Sequence, residues 1–239
     1  MKKYIFLFIV FVLGACNTEG PTESDPCSIL VDGIYQYPTE PADPSWSKER
    51  KKEYWDIPED FLKCISTKGL VESCFSTPKA AYIIASNGCQ DGYNLVKSAC
   101  RGYDELELRD DAAEELINKY ETIKPLEVDI FQLFMFEMAL AQNSILEKMT
   151  TKQKSKLLEL ALFFLAEKRK VVEGDYFNWE ASTIIMGRMM LFENYTPFEE
   201  VCVNNDKIQK FITNGYQLSI ADANIINFFA NQFVNHITQ

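Results

Sequence analysis

Four pairs of adjacent carboxylates are the residues of this chain best suited to acid–base chemistry or to calcium binding. They are Glu59-Asp60, Asp110-Asp111, Glu114-Glu115 and Glu199-Glu200. A glycosidase needs two carboxyl groups about 5 to 9 Å apart on either side of its substrate. Three of the four pairs coincide with predicted helix starts, where acids are expected for capping and for the helix dipole. We therefore favour a structural role for the pairs and keep a carboxylate-based hydrolase, acting on glycans or peptides, as the alternative function.

The single histidine, His236, lies on the apolar side of the last predicted helix. No G-x-S-x-G signature accompanies it, so a catalytic triad is not expected. One histidine excludes His-rich metal sites, and the sequence has no C-x-x-C pair, EF-hand loop or Gly-rich phosphate loop. We predict no catalytic residues, no metal site and no cofactor.

Glu137 is an acid inside the apolar run 134–140, on a helix predicted to be buried. A buried carboxylate requires a partner, and Arg188 on another apolar helix is the predicted one. We interpret this pair as a structural ion pair rather than as a catalytic acid, because no second group with a complementary role is evident.

An amide strip runs along the last helix at helical spacing, formed by Asn224, Asn227, Asn231 and Asn235. A solvated helix face is the ordinary explanation of such a strip. The functional alternative is a polar ligand strip that recognises a glycan or the backbone of a protein partner.

The first sixteen residues form an export signal. Lys2 and Lys3 precede the apolar run 4–13, which is long enough for a signal peptide and too short to cross a bilayer. The ending Leu13-Gly14-Ala15-Cys16 resembles the lipobox of bacterial lipoproteins. The resemblance implies that residues 1–15 are removed and that Cys16 is acylated. We therefore expect an outer-membrane lipoprotein of the cell envelope, facing the periplasm or the cell surface and held in the membrane by its lipid anchor.

The other six cysteines are an even number, which permits disulfides in an exported protein. Cys64 and Cys74 flank a predicted helix break and are placed to meet. Cys89 and Cys100 lie on one predicted helix, about 16 Å apart, too far for a bridge. We expect buried thiols for most of the six and leave the pairing open among Cys27, Cys64, Cys74, Cys89, Cys100 and Cys202.

The composition is that of a folded, acidic protein: 47% of the residues are hydrophobic and the formal net charge is −11. Removal of Lys2 and Lys3 with the signal leaves 22 basic residues against 35 acidic ones, or about −13. Such a charge repels phosphate backbones, so nucleic-acid binding is excluded.

Residues 16–45 contain five prolines and scattered acids, which is typical of an extended tether. Within it, the apolar segment 27–37 is expected to dock on the domain. Residues 46–239 then show helical punctuation throughout, with no alternating pattern long enough for a sheet. Helix starts are predicted at Asp56, Ser66, Thr77, Asp111, Thr150 with Gln153, Thr196 and Ser219. Helix ends are predicted at Asn87-Gly88, Gly102, Glu173-Gly174 and Asn214-Gly215. The sequence therefore predicts an all-α domain of about nine helices, arranged as stacked antiparallel helix hairpins in a short solenoid or an irregular bundle.

The segments 57–74, 140–148 and 185–189 resemble a family of uncharacterised all-helical lipoproteins from Bacteroidota. The resemblance extends from about Trp46 to the C-terminus. It implies the helical fold and the lipid anchor but no activity and no site residues. The sequence thus predicts a lipid-anchored binding or interaction domain, with a protein or glycan as its partner.

Overall fold

A computed structural model describes residues 25–40, 42–170 and 179–237. Within these ranges the protein is all-α, as predicted, but it has thirteen helices rather than about nine. The helices are α1 Lys48–Tyr54, α2 Glu59–Leu62, α3 Thr67–Phe75, α4 Cys89–Ala99, α5 Arg101–Leu108, α6 Ala112–Thr122, α7 Ile130–Leu140, α8 Asn143–Leu146, α9 Thr151–Lys168, α10 Glu180–Phe192, α11 Thr196–Asn204, α12 Asp206–Asn214 and α13 Ile220–Ile237. Short 3₁₀ turns cover Pro26–Ile29 and Ala80–Ala85.

One additional helix arises because a polar side chain divides a longer predicted segment. The side chain of Asn205 accepts hydrogen bonds from the backbone of residues 207 and 208, which ends α11 and starts α12. Another, α1, precedes the first predicted helix and is capped by the side chain of Ser47. Gly102, predicted to end a helix, instead lies buried in the first turn of α5.

The predicted helix starts are correct in part. Thr150 and Gln153 form the predicted reciprocal capping box of α9, and Ser66 caps α3. Asp56, predicted to cap α2, is buried and accepts hydrogen bonds from the backbone and guanidinium of Arg101 instead. Thr196 lies in the first turn of α11, whose N-cap is Tyr195 without a side-chain hydrogen bond.

Two helices form the centre of the core. The apolar helix α7 is buried from Leu133 to Leu140, as its composition predicted. It contacts α3, α4, α6, α8 and α10. The second central helix, α10, contacts α7, α8, α9, α11, α12 and α13. Because helices far apart in sequence surround these two, the arrangement is an irregular bundle.

The segment 27–37 docks on the bundle, as expected. A disulfide joins Cys27 to Cys64, with their Cα atoms 6.0 Å apart. The backbone N–H of Tyr35 donates to Ser73 on α3. Between these points the chain reverses through Asp32 and Gly33, and Val31 and Ile34 form the single β-bridge of the described residues.

No helix in the described ranges combines the length and the apolar composition needed to cross a membrane. The predicted signal peptide, Cys16 and the predicted end of α9 at Glu173-Gly174 lie outside the described residues.

Candidate functional site

Glu137 is fully buried, as predicted, but its cationic partner is Lys168 and not Arg188. The Lys168 ammonium lies 2.5 Å from Oε2 of Glu137. Ser182 and Tyr120 donate hydroxyl hydrogen bonds to Oε1 at 2.7 and 2.6 Å. Burial lowers the pKa of Lys168, and the charge of Glu137 acts in the opposite direction. None of these four side chains lines any of the four cavities described for the structure, and a structural role for the pair stays the prediction.

Arg188 binds backbone carbonyls instead. Its guanidinium donates to Ile212, Thr213 and Ala141 at 2.9, 3.0 and 3.3 Å. Burial lowers the pKa of Arg188 to about 10. The side chain therefore remains charged at neutral pH and ties α10 to the C-terminal ends of α7 and α12.

The amide strip lies on the outer face of α13. Asn224, Asn231 and Asn235 are exposed, and Asn227 is half-buried. The amide of Asn231 donates to the carbonyl of Asn227 at 2.7 Å, and Asn235 donates to the carbonyl of Asn231 at 3.4 Å. These amides thus bond to their own helix, and ligand recognition by the strip stays a prediction.

The predicted carboxylate pairs do not converge on one enclosed site. Glu59, Asp110 and Asp111 border an open cleft near α2 and α5. Glu59 pairs with Lys63 at 3.0 Å, and Asp111 accepts a hydrogen bond from Thr67 at 2.7 Å. Glu114-Glu115 and Glu199-Glu200 lie in the first turns of α6 and α11, as expected for helix-start acids.

His236 is exposed, and its ring contacts those of Tyr195 and Phe233. It is the only histidine of the chain.

Of the pairings that the sequence left open, the structure contains Cys27–Cys64, so Cys64 does not pair with Cys74. The four cysteines Cys74, Cys89, Cys100 and Cys202 are free and buried. The carboxylate of Asp25 approaches the two bridged sulfurs closely enough for a metal site. Since both sulfurs belong to the disulfide, they are not thiolate ligands.

A cavity of about 360 Å³ was missed by the sequence reasoning. We call it the Glu180 pocket. Its apolar lining residues are Ile83, Ile84, Ile130, Phe131 and Phe134, and its polar ones are Ser86, Asn87, Cys89, Glu180 and Gln217, with Gly88 and Gly215 between helices. This size and this mixture of apolar residues with a few polar groups are those of small-molecule sites.

Two Asn-Gly pairs, Asn87-Gly88 before α4 and Asn214-Gly215 at the end of α12, bring these two helices together at the pocket. Gly215 ends α12 with φ +69°, and its carbonyl accepts the N–H of Cys89 at 3.0 Å. A Cβ atom added to Gly88 would lie 2.5 Å from the carbonyl oxygen of Asn214, and one added to Gly215 would lie 2.3 Å from Cβ of Cys89. Glycine is therefore required at both positions for the end of α12 to meet the start of α4.

The ionisable groups of the pocket are Glu180, the first residue of α10, and Cys89, the first residue of α4. The thiol of Cys89 donates to Oε2 of Glu180 at 3.6 Å. Burial raises the pKa of Glu180 to about 7, and the hydrogen bond from Cys89 opposes this in part. Burial, followed by the charge of Glu180, raises the pKa of Cys89 far above its ordinary value. The thiol thus stays protonated and is a poor nucleophile, whereas Glu180 changes its charge near neutral pH.

Little in the sequence singles out this site. Glu180 occupies the first turn of a helix, where an acid is expected, and both Asn-Gly pairs were interpreted as helix ends. The available signal was the apolar residue on each side of Glu180, since Trp179 and Ala181 flank it. The contact between α4 and α12 is a tertiary contact, and no local sequence pattern indicates it.

Family models, curated proteins and solved structures gave no match to this chain. The resemblance to helical lipoproteins of Bacteroidota and the acylation of Cys16 therefore stay predictions.

Proposed function

We propose that this chain is a lipid-anchored protein of the cell envelope whose helical domain binds a ligand in the Glu180 pocket. The pocket is the observation that carries the proposal. It combines a volume of about 360 Å³, five apolar lining residues and the buried carboxyl group of Glu180. Pockets of this size hold a small molecule or one terminal group of a larger partner.

The lipid anchor of the proposal comes from the sequence 1–16. The expected setting is the outer membrane, with the domain facing the periplasm or the cell surface, as in the helical lipoproteins of Bacteroidota that the sequence resembles. Two or more acyl chains on Cys16 suffice for stable anchoring, at about 0.8 kcal/mol per buried CH₂ group. Cys16→Ser should move the protein from the membrane fraction to the soluble fraction with unchanged helical circular dichroism. Retention of the variant in membranes in its cleaved form would contradict lipid anchoring.

Binding in the pocket is tested by a ligand-observed NMR screen of small fragments. Ser86 lies half-buried at the pocket, and Ser86→Trp is designed to fill it. Ser98 is exposed at the other end of α4, so Ser98→Trp is the matched control. We expect fragments whose saturable binding is lost with Ser86→Trp and kept with Ser98→Trp. A screen without such fragments, or with fragments that both variants bind equally, would refute the pocket as the binding site.

The alternative of a carboxylate hydrolase has less support. Glu180 is the one carboxylate among the described residues that line the pocket. In the open cleft near α2, Glu105 pairs with Arg109 at 3.0 Å, and Glu59 and Asp111 have the partners described above, which leaves the exposed Asp110 as the one acid there without a described partner. A glycosidase pair needs one acid that is free to donate a proton and one that faces the substrate.

A further inference from the structure

The carboxyl group of Glu180 has no cationic partner in the described part of the chain. Among the residues that line the pocket there is no lysine, arginine or histidine. Arg188, two turns further along α10, donates to three backbone carbonyls instead. The residues 171–178, which precede α10 in sequence, contain two acids and no base. The single hydrogen bond described for this carboxylate comes from a thiol, which is a weak donor.

Other buried acids of the bundle are fully compensated, which makes Glu180 an exception. Glu137 has an ammonium and two hydroxyl donors, and Asp56 has the guanidinium of Arg101 at 2.7 Å. Buried charges are normally paired or hydrogen-bonded in this way, because an unpaired charge in an apolar site is costly. An acid that is buried at the edge of a cavity without such partners is complementary to a group that enters the cavity.

We propose that the Glu180 pocket binds a small organic cation, an ammonium group carried on an apolar or aromatic body. The ammonium lies against the carboxylate of Glu180, and the body lies against Ile130, Phe131 and Phe134. This inference rests on the proposed function and specifies the class of ligand.

Three features of the chain favour a cation over a neutral or anionic ligand. A desolvated ion pair with Glu180 supplies the missing partner of the carboxylate. Phe131 and Phe134 line the same pocket and provide apolar contact for the body that carries the ammonium. The net charge of −11 raises the local concentration of cations around the protein and lowers that of anions.

Binding should also be linked to pH. The ionisable group described in contact with Glu180 is Cys89 at the start of α4. Arg188 lies further along α10, and Asp129, the exposed N-cap of α7, precedes the lining residue Ile130. The thiol stays protonated and Arg188 stays charged near neutral pH, so Glu180 is the group that titrates there. A cation binds the ionised form, and its association constant should therefore rise about tenfold from pH 6 to pH 8 and change little above that.

The test uses 2-phenylethylammonium as the probe, with 2-phenylethanol as its neutral isostere and phenylacetate as an anion of similar size. Binding to the full chain is measured by calorimetry at pH 6, 7 and 8. Glu180→Gln removes the charge with little change of shape. Glu200→Gln removes an exposed acid on α11 and is the matched control.

We expect the ammonium to bind at least tenfold more tightly than the alcohol at pH 8, and phenylacetate not to bind. Glu180→Gln should reduce the affinity for the ammonium to the affinity for the alcohol, and it should abolish the pH dependence of ammonium binding. Glu200→Gln should change neither the affinity nor its pH dependence. If Glu180→Gln fails to fold, the ratio of ammonium to alcohol and the pH dependence of the unmodified protein decide the question.

Equal binding of ammonium and alcohol, tighter binding of phenylacetate, or no binding of the ammonium would each overturn the inference. These results leave the proposed function intact if the fragment screen yields other ligands that Ser86→Trp excludes. If that screen also fails, the proposed function fails with the inference.

Discussion

Replacement of Glu180 by glutamine should change the pH dependence of folding stability, and the burial of this carboxyl group in the pocket determines the direction of the change. The pKa of this carboxyl group is about 7 in the folded protein, against an ordinary value of 4.5, because it is buried. A raised carboxyl pKa means that the folded state favours the protonated form. Stability that is present below the ordinary pKa is therefore lost as the pH rises through the window from 4.5 to about 7.

The size of the effect follows from the same two pKa values. Ionisation of Glu180 disfavours the folded state by about 1 kcal/mol at pH 5 and by about 3 kcal/mol at pH 8. Glutamine cannot ionise, so the variant lacks this dependence. Between pH 5 and pH 8, Glu180→Gln should therefore gain about 2.5 kcal/mol in free energy of unfolding relative to the unmodified protein.

Urea denaturation followed by circular dichroism at several pH values measures this difference. Any loss of the hydrogen bond from Cys89 shifts the variant equally at all pH values and cancels in the comparison. Glu200→Gln, on the surface, should run parallel to the unmodified protein within about 0.5 kcal/mol. A Glu180→Gln curve that is also parallel, or that diverges in the opposite direction, would refute the assignment of a buried, uncompensated carboxyl group.

Three further predictions concern the stability of the domain, each measured by urea denaturation. Glu137→Gln should destabilise the fold by about 3 to 5 kcal/mol because it leaves the Lys168 ammonium buried without its counter-ion. Adding Lys168→Met should recover part of this loss, and a double variant whose loss is the sum of the two single losses would contradict a coupled pair. Cys27→Ser opens a loop of 37 residues and should cost up to about 4 kcal/mol, a difference that should vanish in strong reductant. Gly215→Ala should cost clearly more than Gly33→Ala, since both have positive φ but only Gly215 has atoms in the way of a Cβ; equal costs would show that the contact with α4 is unimportant.

The helical class and several helix starts were predictable because they depend on local chemistry. The capping box at Thr150 and Gln153 and the cap at Ser66 need only side chains a few residues apart. The prediction of a helix start failed where a residue able to cap a helix forms a stronger interaction with a distant residue. Asp56 binds Arg101, 45 residues away, and this distant ion pair decides its position.

The partner of Glu137 was missed for a different reason. Lys168 stands in the run Lys168-Arg169-Lys170 at the end of α9, which is typical of an exposed, dipole-compensating helix end. Its spacing carried the correct signal, because Lys168 continues the buried stripe through Ala161, Phe164 and Leu165. Periodicity was the better guide here than charge clustering. The pocket had no comparable signal, since its residues come from four separate segments of the chain.

The disulfide between Cys27 and Cys64 also sets how far the domain can stand from the bilayer. With Cys16 acylated as proposed, a tether running to residue 45 would span up to about 100 Å when fully extended. Because the disulfide fixes Cys27 to the domain, the tether from Cys16 to Cys27 is eleven residues long and spans roughly 40 Å at most. A pull on the anchor is then transmitted through the sulfur–sulfur bond directly into the chain at Cys64, next to α2. The domain should thus operate within about this distance of the lipid headgroups.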